Sequence, residues 1–346
     1  LLPEKTYSEA SIGKAYLKEM GIVPWQICQP QFPRQTLANI MSTYFGGRSE
    51  VRIRREMRQV IMCDFLSMYP TVCTLMGLWR FVIADGMTTQ DATREAKAIL
   101  ENADLDWLQQ PQSWRQLTML VRVKAQGDIF PVRAAYVEGE QSTIGLNYLT
   151  SGETPLWFTL ADCIASKLQT GKSPQILEAA AFTPDAMQAG LQPINMSGNA
   201  DYHIDPAKDD LFKRVIELRQ SVKERMKAAS GDERIALDTE QNALKILANA
   251  TSYGIYVEVN VNRRGAPTPT IVHSATSEPF NFSTDKAEET GPFFHPLLAT
   301  LITGAARLML AIAERQVIDS GLEWSFCDTD SIAIAKPDDM GAKQFA

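Results

Sequence analysis

The sequence predicts an α+β fold, on three observations. Apolar or β-rich runs occur at 60–63 (VIMC), 117–137 (LTMLVRVKAQGDIFPVRAAYV) and 324–335 (WSF, CDTDS and IAIA). Two long helical stretches, 206–230 and 232–253, flank the break Ser230-Gly231 and read as an antiparallel helical hairpin. A third long helix is expected over 303–320. A sheet with flanking helices and a protruding helical pair is the α+β combination.

In chain order, residues 8–20 read as a short helix ended by Gly21 and Pro24, and 35–43 as another leading into the turn YFGGRSE. The run VIMC enters Asp64 and suits a buried strand, followed by a helix over 69–78. Residues 89–103 are helical by composition, and 117–137 is β-rich with a turn at Gly127-Asp128. Residues 159–173 predict a helix with Gly171 near its end, and 176–182 a strand. The last stretch reads as strand, tight turn and strand, with Asp328-Thr329-Asp330-Ser331 in the turn. There is no internal repeat and no long low-complexity segment.

The 346 residues suffice for two or three structural units. No apolar run approaches the roughly 18 residues needed to span a membrane, so no membrane partner is expected. The start carries neither Met nor a signal pattern, and the end follows a key motif closely, so both are expected to lie inside a longer protein. Five scattered cysteines without a C-x-x-C pair argue against a disulfide framework or zinc site, and for a reducing, cytoplasmic compartment. The net charge of −7 runs against nucleic-acid binding by composition alone. Charge placement softens this: Arg48, Arg52, Arg54, Arg55 and Arg58 form one basic stretch, and 213–227 holds another. The ordinary reading of such runs is a solvated face.

Three segments carry chemistry together: DFLSMYPT (64–71), KILAN (245–249) leading to Tyr253-Gly254, and DTDS (328–331). Each alone has an ordinary explanation as a cap, a solvent-facing pair or a turn. Combined, they suit nucleotidyl transfer. That reaction needs carboxylates holding two Mg²⁺ ions roughly 3.5–4 Å apart, one activating a hydroxyl and one neutralising the leaving pyrophosphate. Asp is a fitting hard ligand for Mg²⁺. Asp64 at a strand end and Asp330 in a hairpin turn can meet across one sheet. Cationic side chains on a helix can hold the triphosphate.

These segments resemble the ordered motifs of family B DNA polymerases, D-x-x-S-L-Y-P-S, K-x-x-x-N-S-x-Y-G and Y-G-D-T-D-S. YFGG at 44–47 resembles the Y-x-G-G/A motif linking exonuclease and polymerase domains, and TGAAR at 303–307 the helix near the template-primer. Arg219 and Lys223 match the fingers cations. The resemblance covers roughly 40–335. It implies a palm, with an antiparallel sheet and flanking helices, plus a helical-hairpin fingers subdomain. Residues 1–59 would be a connector after an absent exonuclease domain. Residues 60–205 would be the first part of the palm, with an insertion near 79–117; 206–254 the fingers; and 255–346 the second part of the palm, without a thumb. The stretch 145–182 is similar to the layout of protein-primed phage and viral members.

The resemblance implies roles. Asp64 and Asp330, with the carbonyl of Phe65, would hold two Mg²⁺ ions, Mn²⁺ being an alternative, and Asp328 would support them. Ser67, Met68 and Tyr69 would form the bend receiving triphosphate and sugar, Tyr69 excluding a 2′ hydroxyl by shape. Arg219, Lys223, Lys245, Asn249 and Tyr253 would grip the dNTP, with Arg219, Lys223 and Lys245 pointing into one groove. Tyr44, Gly46, Gly47, Thr303, Arg307 and Thr329 would contact primer-template DNA. Terminal-protein or replisome partners are also implied. Cys327 puts a side chain where the family usually has none, near the primer end. Tyr253 falls eight residues after Lys245 where the family has seven. At about 100° per residue the extra step turns it off the nucleotide face. Either a π-bulge within 249–253 restores it, or the helix ends early and Tyr253 sits in the following turn. Two further readings compete: a non-catalytic primer-template-binding or scaffold protein, opposed by intact Asp64, Asp330, Lys245 and Tyr69, and an enzyme making or reading RNA, opposed by Tyr69 and by Asp-Thr-Asp-Ser in place of Asp-Asp.

Overall fold

The computed structural model of the chain describes residues 9–135, 137–140, 143–338, 340, 341 and 345. Parts of the expected connector (1–8) and of the C-terminal stretch lie outside the described residues. The rest is a mixture of helices and several antiparallel sheets, as the α+β expectation requires. Packing divides it into two units. Unit one holds the described residues of 1–38, 69–89 and 182–299; unit two holds those of 39–68, 90–181 and 300–346.

Unit one contains the helical pair. The helices Leu211–Ala228 and Gly231–Ser252 match the expected hairpin. The first starts at 211, not 206, because Asp210 caps it, accepting the N–H groups of Phe212 (2.9 Å) and Lys213 (3.3 Å). Leu211, Phe212, Val215, Leu218 and Val222 recur at helical spacing and are buried, as are Leu237, Leu244 and Leu247 of the partner. The second helix is followed by a long two-stranded ribbon, Val259–Val272 with Phe280–Thr290, which the sequence reading missed. The alternation Val259-Asn260-Val261-Asn262 was its signal.

At the base of the ribbon, His295 is buried against Trp25, with ring centroids 5.1 Å apart. Its N–H donates to the Tyr256 carbonyl (3.1 Å), and its Nδ1 accepts the Leu298 N–H (3.5 Å) at the start of the helix Pro296–Asp319. Trp25 Nε1 donates to the neighbouring Phe294 carbonyl at 2.7 Å.

Unit two holds the sheet that bears the carboxylates. Its strand order is Ser49–Val51, Glu323–Asp328, Ser331–Ala335, Val60–Asp64, all antiparallel. Val60–Asp64 is a strand as expected, but all five residues are exposed, not buried. It is the edge strand, so its apolar run has no neighbour on one side. A second sheet pairs Met119–Lys124 with both Gln175–Pro184 and Leu156–Thr159. The turn expected at Gly127-Asp128 is instead a bulge inside the strand Gln126–Ala134, which pairs with Thr143–Thr150. Gly127 takes φ +79°, and Asp128 Oδ2 accepts the Gln126 N–H at 2.7 Å.

The helix Leu160–Thr170 starts in a capping box. Thr159 Oγ1 accepts the Asp162 N–H (3.1 Å), and the Asp162 carboxylate reaches back to the Thr159 hydroxyl (2.7 Å). Gly171, in the left-handed region, ends it. The helix expected at 303–320 begins earlier, at Pro296. By length and composition it is apolar enough to cross a membrane, and 83% of its apolar window is buried, as in a core helix.

Two outcomes follow from this packing. A Cβ on Gly304 would lie 2.4 Å from Thr159 Oγ1, which the capping box holds in place. Gly304→Ala should therefore destabilise the chain by about 1–3 kcal/mol, read as a lowered thermal midpoint; an unchanged midpoint would mean the close approach is slack. Burial lowers the pKa of His295 from 6.5 to about 3. Between those values the unfolded chain binds a proton that the folded chain does not, so stability is full above about 6.5 and is lost as pH falls toward 3. Urea unfolding from pH 7 to 4 should show a shallower pH slope for His295→Asn than for the parent, the difference approaching about 1.4 kcal/mol per pH unit. Parallel slopes would place the acid sensitivity elsewhere.

Candidate functional site

Strand register assembles the carboxylate set within unit two. Asp328 pairs with Ser331, and Ser331 pairs with Asp64, so the three residues form one row across three strands. Row partners in antiparallel strands face the same side, and two strand spacings put Asp64 and Asp328 about 9.6 Å apart at the backbone. Asp330 lies in the turn between. Its N–H donates to the Asp328 carbonyl (2.6 Å), and its own carbonyl accepts the Phe65 N–H (2.8 Å). Asp330 and Asp64 are thus diagonal neighbours, joined through the residue after Asp64.

This face is open: Asp64, Asp328 and Phe326 are exposed. The opposite face is packed. There Arg48, almost fully buried, bonds Glu314 (2.7 Å) and Glu50 (2.8 Å) and lies 5.2 Å from the Trp324 ring centroid. Burial opposes the Arg48 charge, but Glu314, Cys327 and Glu50 outweigh it and hold its pKa up. The Arg48 carbonyl accepts the Thr329 N–H at 2.7 Å, tying the packed side to the turn. Cys327 points into this packed side, 2% exposed, so its side chain stays off the carboxylate face. Burial pushes its thiol up to about 11, so it is neutral at physiological pH.

Two residues here hold strained backbone. Thr329 has φ +54° and Ser67 φ +49°. Such conformations are uncommon for non-glycine residues, and for a β-branched one they are outliers. They concentrate at functional sites because the surroundings over-determine them. Thr329 is held by the Arg48 carbonyl and by its hydroxyl bond to Asp328 Oδ1 (3.1 Å).

The donor set fits magnesium. Among the described residues no group of three or more His, Cys, Asp and Glu side chains is gathered as for a metal. Exposed Asp64, half-exposed Asp330 and a backbone carbonyl would offer the sparse, all-oxygen environment in which Mg²⁺ keeps water and substrate ligands.

The second set lies in unit one. The rings of Tyr69 and Tyr253 pack at 4.8 Å between centroids, tilted 36°. Tyr253 ends its helix with φ −152° and ψ −60°, and a single 3₁₀ turn, Gly254–Tyr256, follows. The helix therefore stops before Tyr253, and no π-bulge forms. Leaving the helix frees the ring from the periodicity that would have turned it away. Arg219 Nε donates to Gln241 Oε1 (3.4 Å), one turn before Lys245 on the partner helix. Lys245 and Asn249 are exposed on one face, and Lys223 is half-buried.

Several expected contacts are corrected. Met68 is 3% exposed, so it offers a ligand only its backbone. Thr303 and Arg307 are buried, at 0% and 3%, and cannot present side chains to DNA. Arg307 instead grips Asp162 through Nε (2.8 Å) and Nη2 (2.9 Å), and its Nη1 donates to the Gly46 carbonyl. Tyr44, Gly46 and Gly47 remain half-exposed. Sequence reasoning missed Asp162, Glu314 and Trp324; only the capping-box spacing of Thr159 and Asp162 could have singled out Asp162. It also read Arg48 within a solvated basic run, where the side chain is buried.

No protein-family model and no curated protein matches the chain. Among solved structures it is similar to Phi29 DNA polymerase in an orthorhombic crystal form, with 14% identity over 96% of this chain and 49% of that one, at a TM-score of 0.49. It is also similar to Phi29 DNA polymerase complexed with primer-template DNA and incoming nucleotide substrates, with 14% identity over 97% and 50% and a TM-score of 0.46. Against the same polymerase complexed with single-stranded DNA the figures are 12%, 98%, 49% and 0.43. The chain spans about half the length of the solved structures it matches. At these identities and TM-scores the likeness carries no argument about activity.

The strain at Thr329 gives a measurable outcome. Asn tolerates positive φ better than a β-branched residue does. Thr329→Asn should raise the thermal stability of the chain by about 1 kcal/mol. A lowered melting temperature would show that Thr329 is relaxed where it stands.

Proposed function

We propose that this chain is the palm and fingers part of a DNA-directed DNA polymerase of the family B kind. The reading is carried by one observation: the register that puts Asp64 in one row with Ser331 and Asp328, with Asp330 in the adjoining turn bonded through its carbonyl to the residue after Asp64. The motifs around them supply the remainder. In this reading residues 60–205 and 255–346 belong to the palm, and 206–254 to the fingers.

Asp64, Asp330 and the Phe65 carbonyl would hold two Mg²⁺ ions, which when bound activate the primer 3′ hydroxyl and neutralise the leaving pyrophosphate. Asp328 adds negative potential on the same face. Lys223, Lys245 and Arg219 hold triphosphate oxygens by charge-assisted hydrogen bonds. The Tyr69 ring, backed by Tyr253, limits the space beside the sugar 2′ carbon and so favours dNTPs. The Tyr44–Gly47 turn binds the DNA backbone. Partners on this reading are primer-template DNA, dNTP and any terminal or replisome protein that delivers the primer.

Primer extension tests it, with dNTPs or rNTPs on DNA and RNA templates, using the chain in its full-length protein. Extension by dNTPs on DNA, dependent on Mg²⁺, is the expected result. Asp330→Asn should lower the rate on the order of 10³-fold, about 4 kcal/mol of transition-state stabilisation, with primer-template binding retained. DNA binding without extension in the parent protein would favour a scaffold, and rNTP extension an RNA-making enzyme.

A further inference from the structure

The strand Ser49–Val51 is three residues long, lies at one edge of the carboxylate-bearing sheet, and has no buried residue of its own. Its ladder to Glu323–Asp328 is correspondingly short, with Ser49 opposite Asp328. The residue before it, Arg48, is buried, with its side chain 3% exposed. Its guanidinium meets three elements there. Nη1 donates to Glu314 on the helix Pro296–Asp319 (2.7 Å), Nε donates to Glu50 (3.0 Å), and the group lies 5.2 Å from the Trp324 ring centroid. Glu314 is held in turn, its Oε2 also accepting Gln169 Nε2 at 2.9 Å. The Arg48 side chain, more than the short strand, fixes where residue 48 stands.

The turn that carries Asp330 hangs on that position. The Arg48 carbonyl accepts the N–H of Thr329, whose φ is +54°. A strained residue of this kind persists only where its surroundings over-determine it. The other hold on Thr329, its hydroxyl bond to Asp328 Oδ1 (3.1 Å), lies within the turn and moves with it. Asp328 and Asp330 flank Thr329 and are bonded to each other through the backbone, so a relaxation at Thr329 carries both carboxylates along. A buried ion pair adds little stability over well-packed apolar residues of similar size, so stability alone does not account for Arg48 and Glu314. What an apolar pair could not supply is direction, since a planar guanidinium bonded on several sides has one orientation.

We infer that Arg48 and Glu314 are positioning residues that hold the Asp328–Ser331 turn, from the packed face of the sheet, in the conformation in which Asp330 takes a divalent cation. This role rests on the polymerase reading above. It gives a buried ion pair an effect on metal affinity without metal contact.

The test titrates the full chain with Mn²⁺, free Mn²⁺ being read by electron paramagnetic resonance, with no DNA or nucleotide present. The double variant Arg48→Met with Glu314→Gln removes one charge of each sign, so the net attraction for a cation is unchanged. The glutamine keeps an acceptor for Gln169, and Glu50, with its side chain 35% exposed, stays hydrated. Fold is checked by circular dichroism and thermal melting. Expected is Mn²⁺ binding weaker by about tenfold, with a melting temperature near that of the parent. Arg48→Lys keeps the charge but lacks the planar fork, and should weaken Mn²⁺ binding in the same direction. It decides the matter if the double variant does not fold. Parental Mn²⁺ affinity in a folded variant, whatever its melting temperature, would overturn the inference, reduce the pair to packing, and leave the polymerase reading standing. Asp330→Asn is the control on that reading and should lose Mn²⁺. A parent that takes up no Mn²⁺, or an Asp330→Asn variant that binds it as the parent does, would sink that reading, and the inference with it.

Discussion

The backbone register between Val60–Asp64 and Ser331–Ala335 is the constraint on which the candidate site depends. Side chains alternate between faces along a strand, so a slip of one residue would exchange the two faces of the edge strand. Asp64 would then turn toward the packed side, and Cys63 would take its place beside Ser331. The central strand resists such a slip because its two sides differ: Ile332 is buried with Cys327 on the packed side, while Ser331 stays half-exposed between Asp64 and Asp328. The bonds from Phe65 to Asp330 and from Thr329 to Arg48 then lock the turn from both flanks.

A bulge completes the arrangement. The register of Glu323–Asp328 shifts between Trp324 and Phe326, which leaves Ser325 as the extra residue. Its carbonyl accepts both the Arg52 and Ile53 N–H groups, at 2.8 and 3.1 Å. Without the extra residue, Trp324 would share the face of Asp328. With it, Trp324 joins Cys327 on the packed side and receives the guanidinium groups of Arg48 and Arg52 at 5.2 and 5.4 Å. A large apolar ring is thereby kept away from carboxylates that need water and cations around them. Bulges commonly re-aim a side chain beside a functional site.

Elements with strong local signals were legible in the sequence. The helical pair shows 3.6-residue periodicity, Ser230-Gly231 breaks it, and Gly171 stops a helix at the expected place. The DTDS hairpin was legible for the same reason, since its turn and both strands lie within a dozen residues. Burial of Val60–Asp64 was misjudged because an apolar run reveals hydrophobicity but not whether a strand ends up at an edge. The Gly127 bulge was read as a turn because both use glycine at positive φ, and only the pairing partners tell them apart. The Tyr253 spacing was informative about the helix but not about where it ends. The pairing of Asp162 with Arg307, 145 positions apart, has no local signature at all.

Charge shows the same division between composition and placement. A net charge of −7 argues against a polyanion partner when averaged over the chain. The average conceals that many cations are internally committed. Arg48 answers Glu50 and Glu314, Arg307 answers Asp162, Arg58 answers Glu56 and Asp338, and Arg315 answers Asp319. The one-to-one pairs, Arg307–Asp162 and Arg315–Asp319, are neutral beyond about a Debye length of 8–10 Å, while Arg48 and Arg58 each face two carboxylates and leave one negative charge over. What a ligand meets is set by charges left near the surface: Asp64 and Asp328 on the open sheet face, and Lys245 on an exposed helix face. A face rich in carboxylate repels a polyanion unless divalent cations stand between them. On the proposed reading, then, divalent cations at that face would serve DNA engagement as well as chemistry.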